Sequence, residues 1–349
     1  MTHSSPSSAP VVVYGAYGHT GRFVVDELIR RGQTPILAGR DERRLKEMLD
    51  GRPDLEIRPA RVDDPDALRD AVSGAGAVIN VAGPFLDTAL PVSEAAVAAG
   101  AHYLDVTAEQ PAVEAVYAAR SRDAAEAGVA VVPAMAFYGG FADLLTTALL
   151  AGTTEEAAVT VAIGLDRWWP TAGTRITGDR NTAPRRTIAD GRLAPLGETA
   201  ESSWHFPTSL GEQPVVTLPF SEPILLARHL PIDRLDSFLS TSALTELRDP
   251  GTPPPPAADD SGRSAQQFVV DVVARVSGET HRITASGRDI YAVSAPLVVE
   301  AAVRLLDGRS TGAGAAAPGE LFDAADFLGA LSPDPLTLQQ FEVAGELPV

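Results

Sequence analysis

The amino-acid sequence predicts an α/β protein with a doubly wound parallel sheet and a second, α+β domain inserted before a C-terminal helical segment. Three observations lead to this prediction. Short β-branched runs alternate with helical segments over the first 150 residues, a glycine-rich turn follows the first run, and the alternation stops near residue 151. Strands that alternate with helices require right-handed crossovers, which make the strands parallel within one sheet.

Six strands are predicted in the first region, because each is a short apolar run of the kind buried in parallel sheets. They cover residues 11–14, 35–38, 56–61, 77–81, 102–105 and 129–132. The segments between them repeat apolar residues with the period of an amphipathic helix. Helices are therefore predicted at residues 21–31, 42–49, 65–72, 91–99, 112–127 and 142–150.

Beyond residue 151, short strands without long helices predict a mostly antiparallel sheet. The predicted strands are 157–163, 174–177, 186–188, 214–218, 224–229, 268–276 and 280–286, and the Pro- and Asp-rich stretch 251–264 is predicted to be a solvated loop. Helical periodicity returns at residues 289–306 and 321–331. The expected organisation is a disordered tail (1–9), a dinucleotide-binding domain (10–150), an α+β substrate or dimerisation domain (151–288) and a helical segment (289–349) that packs back on the first domain.

The composition argues against several partners and catalysts. The chain has 46 acidic and 28 basic residues, and its net charge of −18 disfavours binding to nucleic acid and to anionic membranes. We expect a cytoplasmic protein, because no apolar run reaches the length of a membrane span and the start of the chain lacks the features of a secretory signal. Cysteine is absent and no histidine spacing indicates a metal site.

Lys46 is the only lysine in the sequence, and it lies within a charged helical segment. A P-loop, the Tyr-x-x-x-Lys pair of short-chain dehydrogenases and a pyridoxal phosphate Schiff base each require a lysine in a particular setting. None of these sites is therefore predicted. The sequence also has no Gly-x-Ser-x-Gly elbow, which argues against an α/β serine hydrolase.

A glycine motif follows the first strand and opens the first helix, with Gly15, Gly18 and Gly21 at intervals of three residues. Glycines at these points let the chain turn, bring backbone against a pyrophosphate and pack the helix close to the sheet. In this βα context the motif predicts dinucleotide binding by a Rossmann fold, and a purely structural turn is the alternative. The other loop residues predicted to contact the cofactor are Tyr17, His19, Thr20 and Arg22.

The end of the second strand favours NADP over NAD. An NAD enzyme usually carries Asp or Glu here to bind the ribose hydroxyls, whereas this sequence has Gly39, with room for a phosphate, and Arg40, with a planar cation. Arg22 and Arg43 are either second phosphate contacts or solvated helix residues. Asp63 either accepts a hydrogen bond from the adenine amino group or only belongs to a helix cap.

The turn after the fourth strand is expected to pass beside the nicotinamide ribose, because that strand should adjoin the first at the point where the strand order reverses. The turn consists of Ala82, Gly83, Pro84 and Phe85, and a plain structural turn is the alternative.

A nicotinamide cofactor transfers only a hydride, so an enzyme that uses it for a reduction would also need a proton donor at the carboxyl edge of the sheet, protonated near neutral pH. The candidate catalytic residues are Tyr138, Tyr103 and His102, and a hydrogen-bonded strand-edge histidine is the alternative for His102. Tyr138 is preferred because the glycines that follow it let its loop approach the nicotinamide, whereas Tyr103 falls inside a strand. Asp105 and Glu109 are interpreted as residues that hold the loop or orient the donor.

Several segments, taken in order, carry a family resemblance: 14–22 (YGAYGHTGR), 38–40 (AGR), 80–85 (NVAGPF), 100–105 (GAHYLD) with Glu109, and 139–143 (GGFAD). Together they resemble the saccharopine dehydrogenase-like reductases, which include trans-acting enoyl reductases. The resemblance implies a Rossmann domain with an inserted α+β domain, NADP(H) as cofactor, and the reduction of a C=C or C=N bond.

We therefore expect an NADPH-dependent oxidoreductase that reduces a C=C or C=N bond of a small organic or thioester substrate. A non-catalytic NADP-binding redox sensor is the alternative from a different functional class. Oxidation of NADPH in the presence of conjugated enals, enoyl thioesters or cyclic imines distinguishes the two. The expected partners are the small-molecule substrate and a second copy of the chain, bound through the second domain.

Overall fold

The computed structural model describes residues 9–207 and 210–343, with side chains described as far as residue 340. Of the tail predicted at 1–9, all but Ala9 lies outside the described residues, as do the last six residues of the predicted C-terminal segment. The chain divides into two compact units, each built from two stretches. The first unit contains the described residues up to Ala136 together with Ser294–Phe322, and the second contains Phe137–Val293 and the described residues from Asp323.

The first stretch of the first unit alternates strands and helices. In chain order it contains β1 (Val11–Tyr14), α1 (His19–Arg30), β2 (Pro35–Gly39), α2 (Glu42–Glu47), β3 (Glu56–Pro59), α3 (Pro65–Val72), β4 (Ala77–Asn80), α4 (Phe85–Ala98), β5 (His102–Asp105), α5 (Gln110–Ala127) and β6 (Ala130–Val132). All six predicted strands are present. The α3 helix begins at Pro65, as predicted, and the Asp64 carboxylate caps it by accepting the N–H of Ala67 at 3.0 Å.

The second unit follows with α6 (Gly140–Leu149), β7 (Ala157–Leu165), α7 (Ala172–Arg180), β8 (Arg186–Ala189), β9 (Arg192–Pro195), β10 (Glu201–Phe206), β11 (Gly211–Thr217), α8 (Glu222–Leu226), β12 (Ile232–Ser240), α9 (Thr241–Arg248), β13 (Gln267–Val276) and β14 (Glu279–Arg288). Two predicted strands are wrong. Residues 174–177 lie in α7, whose first turn is capped by the Thr171 side chain accepting the N–H of Thr174 at 3.1 Å. The start of 224–229 lies in α8, where a short apolar run forms a buried helix.

The remaining elements are α10 (Ser294–Leu306), β15 (Gly314–Ala315), α11 (Pro318–Leu321), α12 (Ala324–Gly329) and β16 (Thr337–Val343). The division into units differs from the predicted boundaries. The first unit ends at Ala136 rather than at 150, because α6 contacts β13 and β14 of the second unit. Of the predicted C-terminal segment, α10 to α11 belong to the first unit, whereas β16 pairs with β14 in the second.

The first unit is built around a parallel sheet with the strand order β15-β6-β5-β4-β1-β2-β3. The order reverses between β1 and β4, as in doubly wound dinucleotide-binding sheets. In the register of these two strands Tyr14 lies beside Asn80, and Asn80 lies beside Asp105 on β5. The segments that follow β1, β4 and β5 therefore emerge at the same carboxyl edge.

Helix α10 is attached to α1 by a cluster of buried charges within the first unit. Glu300 on α10 accepts a hydrogen bond of 2.6 Å from Arg304 and also pairs with Arg31, at the end of α1. Arg31 donates in turn to Glu27 at 2.7 Å. These hydrogen bonds lower the pKa values of Glu27 and Glu300 against the opposing effect of burial. The C-terminal stretch is thus tied to the helix that follows the glycine loop.

The second unit contains a mixed sheet with the order β10-β11-β12-β7-β13-β14-β16 and a two-stranded sheet of β8 and β9. The large sheet is antiparallel except between β12 and β7. The stretch 251–264 contains no helix or strand. Among the described residues, no helix has both the length and the apolar character needed to cross a membrane.

Candidate active site

The three glycines after β1 serve different purposes. Gly15 has a φ of 91°, and a Cβ on it would lie 2.9 Å from the Cβ of Ala82, so the loop touches the turn after β4. A Cβ on Gly21 would lie only 2.4 Å from the carbonyl oxygen of Gly15, so Gly21 is required for packing. At Gly18 the nearest atom would be that same oxygen at 3.1 Å. Gly18 is therefore the least constrained by the protein and leaves its side of the loop open to a ligand.

The other predicted loop residues surround this turn. Tyr17, His19 and Thr20 are half-buried and Arg22 is exposed. The His19 ring meets the Phe23 ring edge-on, with centroids 5.3 Å apart.

The end of β2 has no side chain at Gly39, and the ring of Tyr17 fills the adjoining space. A Cβ on Gly39 would lie 2.9 Å from Cε1 of Tyr17. Arg40 follows and is exposed. Arg44 lies on α2, and its guanidinium is 4.4 Å from the centroid of the Tyr17 ring. Sequence reasoning missed Arg44, because its position beside the glycine loop depends on how α2 folds back.

Two further residues predicted to contact the cofactor have partners of their own. Arg43 forms an ion pair with Glu47 on the exposed side of α2. Asp63 accepts two hydrogen bonds from Arg61, at 2.9 and 2.8 Å, which lower the pKa of the Asp63 carboxyl. An adenine amino group would therefore compete with Arg61 for Asp63.

The turn after β4 is held at Ala82 by two polar side chains. Asn80 accepts the N–H of Ala82 at 3.1 Å, and the Thr88 hydroxyl donates to the carbonyl oxygen of Ala82 at 2.6 Å. Asn80 also donates to the Thr88 hydroxyl at 3.2 Å. The Gly83–Pro84 peptide in this turn is cis. Asn80 could have been noticed in the sequence as a polar residue that ends an apolar strand.

A buried hydrogen-bond network continues from Asn80 into β5. The Tyr103 hydroxyl accepts from Asn80 at 3.2 Å and donates to Asp105 at 2.9 Å. Asp105 also accepts the N–H groups of Thr107 and Ala134, at 3.0 and 2.8 Å. Burial raises the pKa of Asp105 to about 6, although these hydrogen bonds oppose the shift. Tyr103 is fully buried, and burial raises its pKa well above the ordinary value.

Glu109 holds the far end of the turn after β4, where α4 begins. Its carboxylate accepts the N–H of Phe85 at 2.9 Å, at the start of α4, where the preceding Pro84 supplies no side-chain cap. The residue is 1% exposed. Burial raises the pKa of Glu109, and the N–H groups of Phe85 and Leu86 partly oppose this effect. Glu109 therefore holds the turn by capping α4 from a distant segment, as the loop-holding interpretation requires.

His102 is not at the carboxyl edge, contrary to expectation. It begins β5, pairs with Ala77 at the start of β4, and its Nδ1 accepts the N–H of Ala130 at 3.0 Å. Three residues along a strand separate it from Asp105 by about 10 Å. Burial lowers the pKa of His102, which disfavours the protonated ring. His102 therefore lies at the wrong end of the strand for a proton donor to substrate.

Tyr138 lies in the second unit, whereas the other predicted site residues lie in the first. Its ring stacks on Phe220 with centroids 4.0 Å apart, and Trp168 follows at 5.5 Å. Burial raises the pKa of Tyr138 well above its ordinary value, so the hydroxyl stays protonated. The hydroxyl oxygen is buried and has no hydrogen-bond partner within the described part of the chain.

Comparison with known proteins identifies the first unit. Residues 11–132 match the family model of the saccharopine dehydrogenase NADP binding domain. The match runs from the first residue of β1 to the last residue of β6. The first unit thus contains a domain similar to the saccharopine dehydrogenase NADP binding domain.

Individual relatives agree with this family over a similar stretch. A probable mitochondrial saccharopine dehydrogenase-like oxidoreductase of Arabidopsis thaliana is 34% identical over 142 residues, which cover 36% of this chain and 31% of that protein. A putative trans-acting enoyl reductase of Mycobacterium tuberculosis is 29% identical over 161 residues, which cover 44% of this chain and 38% of that protein. The matches thus span 31% and 38% of these two relatives.

The fold likeness extends further along the chain. The solved structure of apo saccharopine dehydrogenase (L-Glu forming) from Saccharomyces cerevisiae superposes with a TM-score of 0.64, covering 97% of this chain and 100% of that one. Sequence identity in this superposition is 13%, so the likeness concerns the fold.

Two observed features of the first unit fit an NADP cofactor. Gly18 is the least crowded glycine of the loop, and Gly39 carries no side chain at the end of β2, where the Tyr17 ring occupies the adjoining space. An acidic ribose ligand at this point would disfavour a 2′-phosphate, and Arg40 follows Gly39 instead. Among the described residues no group of three or more His, Asp or Glu side chains is placed to hold a metal ion.

Proposed function

We propose that this protein is an NADPH-dependent reductase that adds a hydride and a proton across a C=C or C=N bond of a small organic or thioester substrate. The observation that carries the proposal is the contact between Gly15 and Ala82 at the carboxyl edge of the sheet. In doubly wound folds the dinucleotide lies along this edge where the strand order reverses. The descriptions of the relatives, as oxidoreductases and a putative enoyl reductase, support reduction as the reaction class.

Bound NADPH supplies the hydride. The protein's own residues must orient the reacting groups, exclude water and deliver one proton to the atom of the double bond that does not receive the hydride. The fixed turn at Ala82 and the Glu109 cap on α4 support the orienting part of this task.

Tyr138 is our proposed proton donor. A tyrosine with its ordinary pKa of about 10 is already protonated at neutral pH. The observation that supports this role is that the Tyr138 hydroxyl makes no hydrogen bond to the described residues that substrate would have to break. After transfer, the phenolate regains a proton from solvent. The hydroxyl of Tyr103 is already bound to Asp105, which favours a positioning role for that pair.

The test offers NADPH and one substrate class at a time to the full chain. Conjugated enals, enoyl thioesters and cyclic imines cover the two bond types, and NADPH deuterated at its transferable hydrogen labels the product. We expect loss of NADPH absorbance with one class and a product that has gained one deuteride and one proton. NADPH binding without turnover on any class would favour the redox sensor instead.

We also propose that the protein is a cytoplasmic homodimer joined through the second unit. The absence of cysteine is compatible with a reducing compartment. In the second unit, β10 forms one edge of the large sheet, and an edge strand can pair with the same strand of a second copy. Sedimentation equilibrium at micromolar concentration should give twice the chain mass, and a monomer mass would contradict the dimer.

A further inference from the structure

Four basic side chains follow β2, and they differ in whether an acidic residue neutralises them. Two form ion pairs within α2: Arg43 with Glu47, and Lys46 with Glu42. Arg40 and Arg44 have no carboxylate within ion-pair distance in the part of the chain that the structure describes. In a chain with a net charge of −18, two arginines four residues apart that lack an acidic partner among the described residues favour an external anion.

Arg44 is also held in place. Its guanidinium lies 4.4 Å from the Tyr17 ring centroid, and its Nη2 donates to the carbonyl oxygen of Tyr17 at 3.4 Å. The Tyr17 ring in turn covers Gly39 at the end of β2. A guanidinium against an aromatic face keeps donors at its edge, and only one of its five N–H groups is used here.

We propose that Arg44, positioned by Tyr17, contacts the 2′-phosphate of NADP(H) together with Arg40 and so contributes to the choice of NADP over NAD. The fold puts the adenosine ribose at the end of β2, beside Gly39. A phosphate monoester is close to doubly negative at neutral pH, so it can match two guanidinium groups. Contact with the ring holds the long Arg44 side chain near this point, which reduces the entropy lost when phosphate binds. The inference rests on the proposed cofactor site but not on the reaction.

The test is equilibrium binding of NADPH and of NADH to the full chain, measured by calorimetry. Arg44→Met keeps an unbranched apolar side chain against Tyr17 and removes the donors. We expect the Kd for NADPH to rise about tenfold, a moderate effect because the site is exposed, and the Kd for NADH to change less than about twofold. Lys46→Met is the matched control, since it removes a neighbouring cation that is already paired with Glu42, and both Kd values should stay within about twofold.

The role of Tyr17 is tested by a double-mutant cycle. Tyr17→Leu should raise the ratio of the Kd for NADPH to the Kd for NADH. Arg44→Met should raise this ratio by a smaller factor in the Tyr17→Leu background than in the wild-type chain. Full additivity would overturn the positioning role.

The remaining outcomes separate this inference from the proposed reaction. Equal weakening of NADPH and NADH by Arg44→Met, no weakening of either, or an equal loss in Lys46→Met would overturn the role of Arg44. A wild-type chain that binds neither dinucleotide would overturn the cofactor site as well. Arg44-dependent preference for NADPH supports the assignment whether or not any substrate is reduced.

Discussion

The hydroxyl of Tyr103 donates a hydrogen bond of 2.9 Å to the carboxylate of Asp105, two residues further along β5. Residues two apart in a strand share a face, so the pair is set by the strand itself. Because the same hydroxyl accepts from Asn80, the pair also joins β5 to the turn after β4. This network makes the carboxyl edge a fixed support for what binds there.

Asp105 should make the stability of the protein depend on pH. Its pKa is raised to about 6 in the folded state, against about 3.9 when unfolded, so the folded state binds the proton more tightly. Its contribution to the free energy of unfolding is therefore full below about pH 4 and is lost as the pH rises through about 6, a change of roughly 3 kcal/mol.

Urea denaturation across this range, in the wild type and in Asp105→Asn, measures that contribution. The wild-type stability should fall relative to the variant as the pH rises from about 4 to 7. Parallel profiles would contradict the raised pKa. Asp64→Asn changes an exposed carboxylate that caps α3 and serves as the control.

Substitution by alanine at two glycines of the loop should have different effects, one on stability and the other on NADPH binding. Gly21→Ala places a Cβ against the carbonyl oxygen of Gly15, so the helix must shift and the free energy of unfolding should drop by about 1–3 kcal/mol. Gly18→Ala should keep the fold but weaken NADPH binding, because its Cβ occupies the side open to the pyrophosphate. Thermal melts and calorimetry distinguish the two, and wild-type NADPH affinity in Gly18→Ala would mean that the loop is only a structural turn.

Arg40→Ala should reduce NADPH affinity by about one decade or more and leave NADH nearly unaffected, because the lost interaction is with the phosphate alone. Calorimetric titration with each dinucleotide measures this. Arg61→Ala is a suitable control, since that exposed arginine is already paired with Asp63. Similar losses for the two dinucleotides would place Arg40 away from the 2′-phosphate.

Glu109 should act through its acceptor oxygen rather than through its charge. Glu109→Ala leaves the buried N–H of Phe85 without an acceptor, which should cost about 1–3 kcal/mol of stability and loosen the turn after β4. Glu109→Gln retains a carbonyl oxygen and should keep most of the stability and NADPH affinity. If Gln is as damaging as Ala in denaturation and binding measurements, the carboxylate charge is the essential property.

Tyr138→Phe should lower turnover by at least about 100-fold with NADPH affinity unchanged, because a general acid contributes about 100- to 10,000-fold. Stability should not fall, since the removed hydroxyl has no hydrogen-bond partner among the described residues. Tyr291→Phe offers a contrast, because that hydroxyl accepts from Trp168 at 2.9 Å and its loss should cost stability. Turnover within a few-fold of wild type would mean that water or substrate supplies the proton.

The first unit was predictable because its information is local. The β1 strand is an apolar run, α1 has the period of an amphipathic helix, and the glycine loop joins the two in one continuous segment. The second unit was harder. Residues 224–226 form an apolar run too short to distinguish a strand from a buried helix, and β12 was missed because Asp233, Arg234 and Asp236 interrupt its apolar residues.

Only those features of the candidate site that lie within one continuous segment could be predicted from the sequence. The glycine loop and the turn after β4 were found, and the structure brings Gly15 and Ala82 together. The contact of Arg44 with Tyr17 and the reach of Glu109 to α4 depend on how separate segments meet, which no spacing in the sequence encodes. His102 was misplaced because the strand's direction, and not its composition, decides which end faces a ligand.

The two-stretch construction of the first unit sets an order of events during synthesis. The ribosome delivers the glycine loop early, yet α10 and β15, which complete the same unit, follow only after Phe137–Val293 has emerged. Until then Arg31 cannot form its ion pair with Glu300, and β15 is absent from one edge of the parallel sheet. Completion of the first unit is thus delayed by the time needed to translate most of the second, and the parallel sheet keeps an unpaired edge at β6 during that time.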